Sequence, residues 1–468
     1  MESQNPNVIE TLNDAPLGLF HLRAVIASGM GFFTDAYDLF IIGAALLLIE
    51  AQWHPTKTMI GLLGSTALIA AFVGAFVFGR LADLYGRKKI YGIVAALMAL
   101  GALASAFSPN IWWLLIFRFI MGLGIGGDYP VSAVLMSEYA NTKDRGKLVG
   151  LVFSMQAVGL VVGPIVAVTL LAAGLPHDVA WRLMLGLGAL PAGAVIYMRT
   201  RMPESPRYVA TVQGQAQRAQ ESLAQLAGRE LTRVKASPSS SGHRLTFRQF
   251  IQNPKYVRYL VGTAGAWFLF DYAYYGNSIS MPLVMKAVAP HAAAITNMAW
   301  TLIVFALAAV PGYVLAFSKM DQIGHRKLQL IGFALMGAAF AVIGLVPHMT
   351  TLVLPFLLVF GASYFFSEFG PNTTTFVMAS EVYPTSMRTT GHGISAGVAK
   401  VGAFIGVFLF PVLESAYGLH GTLLITAIFA GCGFLLTLLL PEPSRRSLEA
   451  ISGEADAALP NSHDVVNG

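Results

Sequence analysis

Charge is scarce in this chain: Asp, Glu, Lys and Arg make up 12% of its residues, where a soluble domain carries roughly 25%. The shortage runs the whole length, which excludes a string of soluble domains with alternating apolar and polar positions. Cysteine is nearly absent. The one Cys, Cys432, sits inside an apolar run, so neither a disulfide framework nor a cysteine-rich metal site is available. No nucleophile–base pair, metal-ligand spacing or phosphate loop stands out, so the chain is not read as an enzyme and no cofactor is expected. The N-terminus is polar and the first apolar run is too long for a cleavable signal peptide.

What the chain has in abundance is apolar runs of about 20 residues, long enough to cross a hydrocarbon core roughly 30 Å thick. They lie near 21–50, 59–82, 90–108, 110–139, 146–174 and 182–200, and again near 258–289, 295–318, 327–346, 350–378, 391–415 and 421–440. Twelve spans put both termini on one side. Taking that side as cytoplasmic, only Arg23, Lys57, Arg118, Arg182, Lys286 and Lys400 of the 30 Lys and Arg fall outside the inner loops. The positive-inside rule therefore sets the orientation. The sequence pI of 9.3 is a topology signal and not a nucleic-acid footprint.

The two sets of six spans are copies. Asp83-Leu84-Tyr85-Gly86-Arg87-Lys88 follows span two, and Asp321-Gln322-Ile323-Gly324-His325-Arg326-Lys327 follows span eight. Ser137-Glu138 with Arg145, after span four, matches Ser380-Glu381 with Arg388, after span ten. The offsets are 238 and 243 residues. A duplicated bundle around a central loop is a common plan of secondary transporters. With Pro203-Glu204-Ser205-Pro206-Arg207 after span six and Pro441-Glu442 after span twelve, these loops resemble the major facilitator superfamily. The resemblance implies an all-α membrane protein of twelve helices in two pseudo-symmetric six-helix bundles. It divides into a bundle at 1–200, a central cytoplasmic loop at 201–257, a second bundle at 258–442 and a tail at 443–468. It also implies a gating latch of Asp83, Arg87, Glu138, Arg145, Asp321, Arg326, Glu381 and Arg388. His325 stands where that pattern has Arg.

Ionisable groups inside spans cost about 2.5–3.5 kcal/mol each by insertion scales and so are functional candidates. Asp35 and Asp38 are three apart on one face of span one, and two neighbouring carboxylates suit a proton carrier. Span four carries Arg118 and Asp128, ten residues and nearly three turns apart, which disfavours a direct pair. Its glycines, Gly122, Gly124, Gly126 and Gly127, follow no strand and are read as close helix contacts. Trp267, Asp271 and Tyr275 form a stripe on span seven. At the start of span ten, Gly370-Pro371 frees backbone groups that Asn372, Thr373, Thr374 and Thr375 either satisfy or leave to face a ligand. Lys400, deep in span eleven, either neutralises an acid or attracts an anion.

Hydrogen-bond donors dominate the neutral members of this set, which suits an oxyanion. A carboxylate such as Asp271 can accept the O–H groups of dihydrogen phosphate while rejecting fully ionised sulfate. An anion entering a cell climbs the membrane potential at about 2.3 kcal/mol per charge per 100 mV, so accumulation needs a co-transported proton. Gly31 to Phe40, Gly126-Gly127-Asp128-Tyr129-Pro130, Ser137-Glu138-Tyr139-Ala140, Trp267 to Asp271 and Phe369 to Phe376 then resemble the phosphate:proton symporters of fungi and plants over about 25–442. That resemblance implies phosphate binding by Tyr129, Gln156, Trp267, Asp271, Tyr275 and Asn372. It implies proton coupling through Asp35, Asp38 and Asp128, with Arg118 as charge partner and Lys400 in support. The expectation is a monomeric importer of inorganic phosphate and protons in a lipid bilayer, without nucleic acid. The short ends and modest loop suggest a bacterial inner-membrane version. A proton-coupled carrier of organic anions or sugars is the alternative, and a non-transporting nutrient receptor is the alternative of another class. The loop segment Ser237-Pro238-Ser239-Ser240-Ser241 reads as linker and the tail as unstructured.

Overall fold

A computed structural model describes residues 8–227, 245–292, 300 and 302–454. The described residues form helices joined by short turns, with no strand among them. Eleven helical spans are long and apolar enough to cross a membrane by composition alone: Leu19–Trp53, Leu62–Tyr85, Arg87–Ala106, Ile111–Tyr139, Arg145–Leu170 and His177–Thr200 in the first half, then Leu302–Ile323, His325–Leu345, Val353–Ala379, Arg388–Phe410 and Val412–Thr437. The twelfth, span 7, is Pro254–Ile279. Its 26 residues reach roughly 39 Å at 1.5 Å per residue, yet buried Trp267, Asp271, Tyr275 and Asn277 make it the most polar of the set. The chain is an all-helical membrane protein of two six-helix bundles.

Pseudo-symmetry extends to the packing. A Cβ on Gly159 of span 5 would lie 2.4 Å from the Phe33 carbonyl of span 1, and one on Gly402 of span 11 would lie 2.3 Å from the Phe268 carbonyl of span 7. These two glycines stand at the offset of 243 residues that also separates Ser137 from Ser380. In each half a glycine lets the fifth helix touch the first, backbone to backbone.

Several spans depart from a plain α-helix. Span 5 breaks at Met155, between Arg145–Ser154 and Gln156–Ala172. Span 10 widens into a π-turn at Glu368–Asn372, where Gly370 leaves helical geometry at φ −113° and ψ −106°. Gly370-Pro371 therefore lies in the middle of span 10, not at its start as the sequence reading had it. Spans 11 and 12 are two helices joined at Gly418, which leaves helical geometry at φ 68° and ψ 175°, a positive φ that glycine adopts without cost.

One face of the molecule is sealed by a doubled network of charges. Asp83, at the end of span 2, accepts from the Thr389 and Thr390 backbone N–H groups at 3.3 and 2.6 Å, at the N-terminus of span 11. Asp321, at the end of span 8, accepts from Gly146 and Lys147 at 3.1 and 2.6 Å, at the N-terminus of span 5. Each carboxylate thus caps a helix of the opposite half, where the helix dipole favours it. Across the same boundary Glu138 meets Arg388 at 3.1 Å and Glu381 meets Arg145 at 2.7 Å. Arg87 bonds both Asp83 and Glu138, at 3.0 and 3.2 Å.

Arg326 is a correction to the expected latch. Its guanidinium turns away to the Leu438 carbonyl, at 2.9 Å. His325 takes the place of Arg87 instead, bonding Asp321 at 3.1 Å and Glu381 at 2.8 Å. The reason is helical register: His325 is four residues beyond Asp321, as Arg87 is beyond Asp83, and i,i+4 residues share a face.

Beneath this face the tail is ordered at least to residue 454, contrary to expectation. Helix Leu448–Ser452 buries Leu448 and Ile451. Glu449 pairs with Arg207, which also donates to Asn13 at 2.7 Å, and Glu454 accepts from the Thr385 backbone at 2.9 Å. The central loop contributes Pro206–Thr211, Ala216–Ala227 and Phe247–Gln252. The expected linker Ser237 to Ser241 lies outside the described residues.

Candidate transport site

The buried polar side chains of the two halves meet in one hydrogen-bonded chain between the bundles. Tyr129 of span 4 donates to Asp35 of span 1 at 2.7 Å. Gln156, placed at the break in span 5, donates to the Tyr129 oxygen at 3.0 Å and reaches Asp35 at 3.5 Å. Its carbonyl accepts from Tyr313 of span 8 at 3.4 Å. Tyr313 accepts in turn from Asn372 of span 10 at 2.8 Å, and Asn372 also donates to Glu368.

Beside this chain stands the cation. Lys400 of span 11 donates to Asp271 at 3.3 Å and to Tyr275 at 3.0 Å, both on span 7. Its ammonium lies 4.6 Å from the centre of the Tyr129 ring and 4.5 Å from that of Tyr275, a cation–π arrangement strengthened by exclusion of water. The Trp267 ring is 6.2 Å from that of Tyr129. Lys400 therefore neutralises an acid, the first of the two roles open to it. All six expected phosphate-binding residues belong to this one cluster, and each is buried. The cavity at its edge, lined by Gln156, Tyr274 and Tyr275 among others, measures about 10 Å³, room for about one water. The donors are engaged with one another, so an anion enters only if these bonds open.

The acids of the first half divide. Asp128 is gripped by Arg199 of span 6, at 2.6 Å and 2.9 Å, and accepts from Ser132 at 3.0 Å. Arg199 stacks on the Tyr91 ring at 3.9 Å. Arg118 is not the partner of Asp128, as ten residues of helix already argued. It acts through space on Asp38 and Asp35 without a direct ion pair, and both Asp38 oxygens lack a hydrogen-bond partner among the described residues. Asp35 and Asp38 are buried well inside span 1 and are not helix caps.

The span 10 hydroxyls answer the remaining open choice. Thr373 bonds the Glu368 carbonyl at 2.9 Å, Thr374 that of Gly370 at 2.9 Å, and Thr375 that of Pro371 at 2.7 Å. They satisfy the widened turn and leave Asn372 to face the cluster. Four participants escaped the sequence reading: Arg199, Tyr313, Glu368 and, in the latch, His325. Glu368 carried a usable signal, an ionisable side chain inside an apolar run. Arg199 falls in the last turn of its span, where a cation reads in sequence as one of the loop charges.

Residues 23–454 match the family model described as sugar (and other) transporter. The chain belongs to the sugar (and other) transporter family. Among its relatives, this transporter is 35% identical to inorganic phosphate transporter 1-6 of Oryza sativa subsp. japonica, over 97% of each chain. It is 36% identical to low affinity inorganic phosphate transporter 4 of Petunia hybrida, covering 97% of this chain and 96% of the relative. The fold overlays that of the proton:xylose symporter XylE, of the major facilitator superfamily, with a TM-score of 0.80 at 18% identity, over 93% of this chain and 99% of that one. An inward-open form of the E. coli xylose transporter overlays less well, with a TM-score of 0.63 at 18% identity over 93% and 99%.

Proposed function

We propose that the transporter imports inorganic phosphate together with protons by alternating access. The observation that carries this reading is the Lys400–Asp271–Tyr275 group, set 3.3 and 3.0 Å apart against the Tyr129–Gln156 donors of the other half. A cation and neutral donors suit an oxyanion. A carboxylate beside them suits one that still bears O–H groups. Phosphate relatives aligned along the full chain support the same substrate. A sugar would find a charged pair where it needs neutral partners, and a fully ionised organic anion would face Asp271 without a proton to share.

In the proposed cycle a proton on Asp35 or Asp38 lowers the charge of span 1, and phosphate displaces the internal bonds of the cluster. Arg118 is the cation to which a deprotonated Asp38 returns. Arg199 stays with Asp128 and holds spans 4 and 6 as one body. The halves, assigned as 1–200 and 258–442 joined by 201–257, then rock about the site while the latch network parts. The latch face is assigned to the cytoplasm of a bacterial cell, with both termini there. A single chain holds the whole path and acts as a monomer.

Replacing Asp271 with Asn tests the site. Loss of phosphate counterflow in proteoliposomes, in folded protein, is expected. Counterflow near the wild-type rate would remove Asp271 from the site.

A further inference from the structure

Glu368 is fully buried on the π-turn of span 10. Asp271 has Lys400, Asp128 has Arg199, and Glu138 and Glu381 have arginines. Glu368 has no ion-pair partner among the described residues. What faces it is neutral. The phenols of Tyr274 of span 7 and Tyr313 of span 8 bond it, Tyr364 of span 10 lies near it with its hydroxyl bonded to Ser278 at 2.8 Å, and Asn372 donates its amide. Span 9 packs here through its backbone, at Gly332, whose Cβ would lie 2.3 Å from Pro371, and at the Leu328 carbonyl, 3.0 Å from a Cβ on Gly370. A buried carboxylate without a counter-charge carries a large desolvation penalty, which a proton removes.

Resting on the phosphate–proton reading above, we propose that Glu368 is a second proton-carrying carboxyl of the transport cycle, in the half opposite Asp35. The geometry supplies the coupling. Asn372 bonds Glu368 and Tyr313 from the same amide nitrogen, and Tyr313 leads through Gln156 to Asp35. The two carboxyls are thus the ends of one chain across both bundles. When Asn372 turns its amide to an incoming anion, Glu368 loses the donor that supports its ionised form. Protonation of Glu368 then accompanies substrate binding, and deprotonation accompanies release on the side poorer in protons.

The proton-to-phosphate ratio, read from the reversal potential of uptake in proteoliposomes, tests this in wild type and Glu368→Gln. The variant is expected to move one proton fewer per phosphate, with proton-driven uptake losing more than counterflow does. An unchanged ratio overturns the assignment of Glu368 while leaving phosphate symport intact. Infrared difference spectra of substrate-free protein between alkaline and acid pH test the carboxyl without phosphate. A carboxylic C=O band present in wild type and absent in Glu368→Gln supports the assignment even if the wild type carries another substrate; identical spectra overturn it. Should Glu368→Gln fail to fold, Glu368→Asp is expected to keep the band at a shifted frequency and midpoint. An unshifted band would mean that it belongs to another carboxyl.

Discussion

Arg199 grips Asp128 through two nitrogens, at 2.6 and 2.9 Å, and Gly31 is the residue that gives the pair its space. A Cβ at Gly31 would lie 1.9 Å from one Asp128 oxygen and 2.4 Å from an Arg199 nitrogen. Spans 1, 4 and 6 meet at this point. Gly31→Ala must therefore part the ions or the helices. Breaking a buried pair costs about 3–5 kcal/mol, so a lowered melting temperature of the purified protein is expected, with Arg199→Ala lowered at least as far. A Gly31→Ala variant that melts with the wild type would show that the helices yield freely there.

The latch is predicted to be insensitive to mild acid on its Glu381 side. Burial pushes that carboxyl up, but His325 and Arg145 together hold it down at about 2. A folded value below the usual one adds stability that is present above the ordinary glutamate range and fades only as pH falls toward 2. Spin-label distances across the latch should therefore be the same at pH 8 and pH 5. Widening at pH 5 would contradict this account.

Lys400 and Asp271 are predicted to depend on each other. Lys400→Ala leaves a buried carboxylate unpaired, a change that costs about 3–5 kcal/mol. The double variant Lys400→Ala with Asp271→Asn should recover much of the stability and none of the transport. Melting curves and phosphate counterflow separate the two effects. A double variant less stable than Lys400→Ala alone would deny the pairing.

Asn372 is predicted to act through substrate affinity. A hydrogen bond to a charged partner contributes about 1.5–3 kcal/mol, so Asn372→Ala should weaken apparent phosphate affinity by roughly 10- to 100-fold. Uptake at a series of phosphate concentrations measures this. An unchanged half-saturation value would place Asn372 outside the site.

Much of this arrangement is legible in the residues. Motif pairs at fixed offsets locate the two halves, and Asp83 and Asp321 occupy equivalent corners because they stand at equivalent steps of the repeat. The same step, followed one residue more carefully, points to His325 and not Arg326. Span 7 stands out among the apolar runs by its polarity, and the Trp267–Asp271–Tyr275 spacing marks which of its faces belongs to the site. The Asp128–Arg199 pair is different in kind. It joins helices far apart in sequence, and the residue that permits it is a glycine on a third helix, so no local pattern signals it. Tyr313 likewise becomes a member of the cluster only because span 8 packs against span 5.

Uptake of labelled phosphate into proteoliposomes under an imposed inward proton gradient tests the central claim most directly. Accumulation is expected with the gradient, abolished by a protonophore and unaffected by excess sulfate. Folded, correctly inserted protein that takes up no phosphate under the gradient, or takes it up equally without one, would contradict proton-coupled phosphate import.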